Sequence, residues 1–187
     1  DEDPDAPELI RHAQIALKQA KRGDGVAFYE PVALARLHKR FDREHALRLA
    51  IENEDVTLAF QPLVDMKSRR VIGFEALARW THEGEAISPG EFVPIAEDSG
   101  LILPLGRLVI NKAAATLAEW DKRLGREMPV GISVNVSPIQ LARDDVVTVV
   151  QTALEQHRVA GRRMIIEVTE SSVVSNPDTA DAILRAL

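Results

Sequence analysis

Three segments of this chain, at 70–80, 130–136 and 164–169, are short and apolar on alternate residues, and helix-length stretches separate them. Strands that alternate with helices are the signature of an α/β fold with a mostly parallel sheet. Side chains alternate across a strand, so each segment has two faces. In the first, Ile72, Phe74, Ala76 and Ala78 share one face and Gly73, Glu75, Leu77 and Arg79 the other. In the second, Ile132, Val134 and Val136 oppose Gly131, Ser133 and Asn135; in the third, Met164, Ile166 and Val168 oppose Ile165, Glu167 and Thr169. One face is uniformly apolar each time, as packing against helices demands. The other carries a polar group toward the C-terminal end, which is where α/β folds place their sites.

The surrounding elements follow from spacing. Residues 57–62 read as a further strand, and only the seven residues 63–69 separate it from the next. A parallel crossover needs about a dozen or more, so these two strands form an antiparallel hairpin. Ser88 and Glu91 have capping-box spacing with Pro89 at the first helical position, opening a short helix that stops by Gly100. Leu105, Val109, Ala113, Leu117, Trp120 and Leu124 mark a long amphipathic helix ending at Gly125. A helical region starts at Ser137-Pro138 and breaks near Asp144-Asp145, and Asn176-Pro177 caps a last helix. Upstream, 5–22 reads as a helix, 26–29 as a short strand, and 31–53 as a charged helix whose sparse apolar stripe suits a surface or a linker.

Glu75, Asn135 and Glu167 are candidates to converge. Two carboxylates and an amide oxygen are hard donors, suited to Mg2+, Mn2+ or Ca2+ rather than zinc. Arg79 could clamp a phosphate beside them, which points to metal-assisted chemistry on a phosphate ester. The same residues also allow a purely structural arrangement: a buried Glu75–Arg79 ion pair, with Asn135 satisfying backbone groups. Composition narrows the field. Cysteine is absent, which excludes disulfides, thiolate nucleophiles and cysteine-ligated zinc. The net charge of −6 gives no basic field for a nucleic-acid polymer. No apolar run approaches the ~20 residues that span a bilayer, so no membrane contact is expected from this segment. The five histidines are scattered and read as surface residues, Arg69-Arg70 and Arg162-Arg163 as solvated turns, and Trp80 and Trp120 as packing residues.

At these positions the chain resembles the EAL-type cyclic di-GMP (c-di-GMP) phosphodiesterase family. The residues Phe74-Glu75-Ala76-Leu77-Ala78-Arg79-Trp80 contain its E-A-L signature in the longer E-x-L-x-R form. Phe60-Gln61-Pro62, Ser88-Pro89 with Phe92-Val93-Pro94-Ile95-Ala96-Glu97, Ser133-Val134-Asn135-Val136-Ser137 and Glu167-Val168-Thr169-Glu170 match four more blocks, in order. Ile15-Ala16-Leu17-Lys18-Gln19-Ala20-Lys21 and Phe28-Tyr29-Glu30-Pro31 resemble the C-terminal tail of a GGDEF-type diguanylate cyclase domain.

The resemblance implies an incomplete (β/α)8 TIM-like barrel with an antiparallel first strand. The expected organisation is a GGDEF-like tail over 1–31, a helical linker over 32–54 and the N-terminal half of the barrel over 55–187. A complete barrel takes about 250 residues. It also implies Glu75, Asn135 and Glu167 as metal ligands, Gln61, Leu77 and Arg79 as dinucleotide contacts, and Glu170 as support for a following loop. The implied reaction is hydrolysis of c-di-GMP to linear pGpG with Mg2+ or Mn2+, inhibited by Ca2+; the alternative is a degenerate domain that binds the dinucleotide as a sensor or scaffold. The family's Asp-Asp block, general-base lysine and later glutamate fall downstream of Leu187, so no catalytic base is expected in this chain, and hydrolysis by it alone is not expected. A homodimer of the complete domain, an adjacent GGDEF domain and a cytoplasmic location complete the expectations.

Overall fold

The computed structural model describes residues 6–20 and 31–168. The expected strand at 26–29, the last helix after Asn176-Pro177, and Glu170 lie outside the described residues. The chain divides into two compact units, 1–43 and 44–187. In the first, α1 spans Ala6–Ala20, as its apolar spacing predicts. Helix α2, Pro31–Glu52, runs across the boundary.

The second unit holds β1 (Thr57–Val64), β2 (Val71–His82), β3 (Glu85–Ile87), α3 (Pro89–Ser99) and α4 (Ile102–Leu124). It continues with β4 (Gly131–Val136), α5 (Pro138–Arg143), α6 (Val146–His157) and β5 (Met164–Val168). Its main sheet runs β1-β2-β4-β5. The β1–β2 pair is the expected antiparallel hairpin, and β2–β4 and β4–β5 are parallel. This is the mixed α/β architecture of part of a TIM-like barrel.

Helices cover the apolar strand faces. Ile132, Val134 and Val136 are buried on β4, with Ala76 on β2, in one core with Leu105, Val109, Ala113 and Leu117 of α4. Full burial of each Val, Leu or Ile side chain is worth about 1.5–3 kcal/mol. Leu47, Ala50 and Ile51, on the last turns of α2, bury in that core with Val56. The unit that carries the sheet therefore starts at Glu44, within the stretch expected to serve as a linker. Ile72 departs from the pattern: it shares the apolar face but is 59% exposed. Strand β2 pairs with β4 only over Gly73–Ala76, so Ile72 lies beyond the covered part of the sheet.

Strand β2 runs two residues past Trp80, and β3 folds back on it through Glu83 (φ 51°) and Gly84 (φ 80°). Two successive positive φ angles make the tight hairpin turn whose twist matches the strands. Helices α3 and α4 end at Gly100 and Gly125 as expected. The Arg162-Arg163 turn is a correction. Arg163 is buried, donates from Nε to Val130 O at 3.1 Å and pairs with Asp121 of α4, whose other oxygen accepts from Met128 N at 2.8 Å. That latch ties the end of α4 to the entrances of β4 and β5.

Candidate functional site at the strand ends

Sheet register sets the site. Gln61 lies opposite Glu75, Glu75 opposite Ser133, and Asn135, two residues further on, opposite Glu167. Parity puts Glu75, Asn135 and Glu167 on one face of three adjacent parallel strands. Asn135 Nδ2 donates to Glu75 Oε1 at 2.7 Å, across 60 residues of sequence. Glu75 and Glu167 are half-buried, whereas Gln61 and Asn135 are exposed.

Arg79 shares the Glu75 parity but makes no ion pair with it. Its Nη1 donates to Ala78 O at 2.9 Å, and its side chain is exposed. The structural alternative of a buried Glu75–Arg79 pair is therefore not what forms. Strand β2 parts from β4 after Ala76, so Arg79, still paired with Thr57 of β1, stands past the β4-paired stretch at the rim. Here a cavity of about 290 Å³ opens, lined among others by Leu77, Arg79, Val93, Glu97, Asn135 and Gln140.

The turn after Asn135 is held from both sides. Ser137 Oγ accepts from Gln140 N at 3.3 Å, and Gln140 Oε1 accepts from Ser137 N at 3.1 Å, a full capping box opening α5. Gln140 was missed in the sequence although S-x-x-Q is the capping signal. Glu97, which lines the cavity, stood out only within a matched block. At the end of α5, Arg107 of α4 grips Asp144 in a two-pronged ion pair. That hydrogen-bonded guanidinium holds the Asp144 carboxyl below its usual pKa.

The donor set fits a hard divalent cation. Among the described residues no three Asp, Glu or His side chains cluster for a metal. A cation would thus rest on two carboxylates and the Asn135 amide, with Oδ1 rather than Nδ2 turned toward it.

A family model described as "EAL domain" matches residues 44–187, the whole second unit. The chain belongs to the EAL domain family. This EAL chain is 35% identical over 183 residues to the bifunctional diguanylate cyclase/cyclic di-GMP phosphodiesterase MucR of Pseudomonas aeruginosa, covering 96% of the chain and 26% of MucR. It is 34% identical over 180 residues to the uncharacterized protein y4lL of Sinorhizobium fredii, covering 95% of the chain and 21% of that protein. Among solved structures it is similar to the PaMucR phosphodiesterase in its c-di-GMP complex: TM-score 0.71, 36% identity, 77% of the chain and 58% of that structure's chain. The Xanthomonas citri FimX EAL domain in complex with c-diGMP shares the fold at TM-score 0.71 and 24% identity, over 81% of the chain and 58% of that one. The chain thus spans about a quarter of the length of the curated relatives. No helix among the described residues is long and apolar enough to cross a membrane.

Proposed function

We propose that this chain supplies the metal-binding and dinucleotide-binding half of a c-di-GMP phosphodiesterase that yields linear pGpG. The Glu75–Asn135 hydrogen bond at 2.7 Å, with Glu167 in register beside Asn135, carries this reading. It brings together three hard donors where an α/β sheet places its ligands. Glu75, Asn135 and Glu167 would hold Mg2+ or Mn2+. Bound there, the cation supplies an acidified water and neutralises charge on phosphoryl oxygens.

The chain's own groups then divide the remaining work. Arg79, exposed at the rim and with no carboxylate partner among the described residues, turns its guanidinium to a phosphate. Gln61, across from Glu75, and Leu77, in the cavity wall, contact the rest of the dinucleotide. The matched region of MucR extends upstream of residue 44, which supports reading residues 1–31 as the tail of a neighbouring GGDEF domain. A homodimer and a cytoplasmic location belong to the same proposal.

The test is turnover of c-di-GMP by the complete domain with Mn2+, resolved by chromatography. Linear dinucleotide is the expected product, and Arg79→Ala weakens c-di-GMP binding roughly 10- to 100-fold, the value of a charge-assisted hydrogen bond. Binding without product would replace this reading with that of a sensor. No binding at all would overturn both.

A further inference from the structure

Ser133 is 1% exposed, and its Oγ has no hydrogen-bond partner among the described residues. It stands in mid-strand on β4, on the same face as Asn135, paired with Glu75 on one side and Ile165 on the other. A buried hydroxyl without a partner opposes folding, so its retention calls for a use. It is shut off from solvent, and among the described residues the carboxylate directly across the ladder is Glu75.

In this structure Glu75 is oriented by Asn135, through Nδ2. A cation seated between Glu75 and Asn135, where Nδ2 now donates, displaces that bond. An amide NH2 group repels a cation, so Asn135 must rotate to present Oδ1, and Glu75 then loses its donor. Metal-ligating side chains are held by donors behind them, and those donors set the affinity.

We propose that Ser133 is the positioning residue for Glu75 in the cation-loaded site. Its hydroxyl donates, directly or through one enclosed water, to the Glu75 oxygen that does not face the cation. The bond replaces the one Asn135 gives up. The hydroxyl is thus unpaired in the empty site and satisfied in the loaded one. The inference rests on the reading of Glu75 and Asn135 as cation ligands.

The experiment titrates Mn2+ alone into the complete domain, following free Mn2+ by electron paramagnetic resonance, with thermal melts in and out of Mn2+. Wild type, Ser133→Ala and Ser133→Thr are compared. The expected result is a Mn2+ Kd raised about 10-fold in Ser133→Ala, at the low end for a lost partner of a ligand. Its metal-free Tm equals or exceeds that of wild type, because an unpaired polar group has been removed. Ser133→Thr, which keeps the hydroxyl, holds Mn2+ more tightly than Ser133→Ala. Equal Mn2+ affinity in wild type and Ser133→Ala would overturn this inference alone. So would a lower metal-free Tm in Ser133→Ala with unchanged Mn2+ binding, which marks a packing role. Absence of Mn2+ binding by wild type would overturn the cation site itself, and this inference with it.

Discussion

Gly106 sits in the first turns of α4, where Gln140 lies directly on it. A Cβ at this position would come within 1.7 Å of Gln140 Nε2 and 2.7 Å of its Cδ. Gln140 is 3% exposed and cannot simply swing into solvent, and its Oε1 caps α5 through Ser137 N. Gly106→Ala therefore sets two effects against each other. Alanine gains about 1 kcal/mol over glycine in a helix interior. Against that stand about 1 kcal/mol for the broken cap and about 1–3 kcal/mol for overpacking. The net expectation is destabilisation by about 1–3 kcal/mol. In a Gln140→Ala background the obstacle is gone and the cap already lost, so the same substitution becomes stabilising by up to about 1 kcal/mol. Urea denaturation of the four proteins in this cycle measures both values. The same sign of effect in both backgrounds would refute the argument. Because Ser137 is two residues past Asn135, Gly106→Ala also disturbs the candidate site, and c-di-GMP binding should weaken with it.

Two further outcomes follow from the core and its charges. Phe92 is fully buried with its ring edge against Trp80, so Phe92→Ala should cost about 3–5 kcal/mol, read as a lower urea midpoint; a loss below about 1 kcal/mol would show that the pocket around Phe92 collapses freely. The Asp121 carboxyl is held below its usual pKa, chiefly by the Arg163 hydrogen bond. Its contribution is complete above the unfolded value near 3.9 and is lost as pH falls through the lower folded value. Asp121→Asn should therefore be less stable than wild type at pH 7 and lose less stability between pH 5 and pH 3; equal losses would contradict the assignment.

The hairpin was legible because seven residues cannot make a parallel crossover, and the site strands because a polar residue recurs near each C-terminal end. Periodicity also gave the extent of α4 to within a turn. What stayed hidden depends on contacts between distant residues. Arg163 reads as a solvated turn until Asp121, 42 residues away, is seen beside it. Glu75 and Arg79 share a face by parity, but parity does not give reach: four residues of extended strand set them roughly 13 Å apart, and Arg79 bonds Ala78 O instead. Strand β3 escaped notice because Glu83-Gly84 is a less usual pair for so tight a turn than Asn-Gly or Asp-Gly. The role of the last turns of α2 lay in tertiary burial of Leu47, Ala50 and Ile51, which a thin apolar stripe does not announce.

The central claim is that Glu75, Asn135 and Glu167 act together on one ligand. Calorimetric titration of c-di-GMP into the complete domain with Ca2+, the cation expected to inhibit turnover, tests it most directly. The account predicts saturable binding by wild type that depends on Ca2+, with the Ca2+ dependence lost in both Glu75→Gln and Asn135→Ala. Binding equally tight in all three proteins, with or without Ca2+, would contradict it.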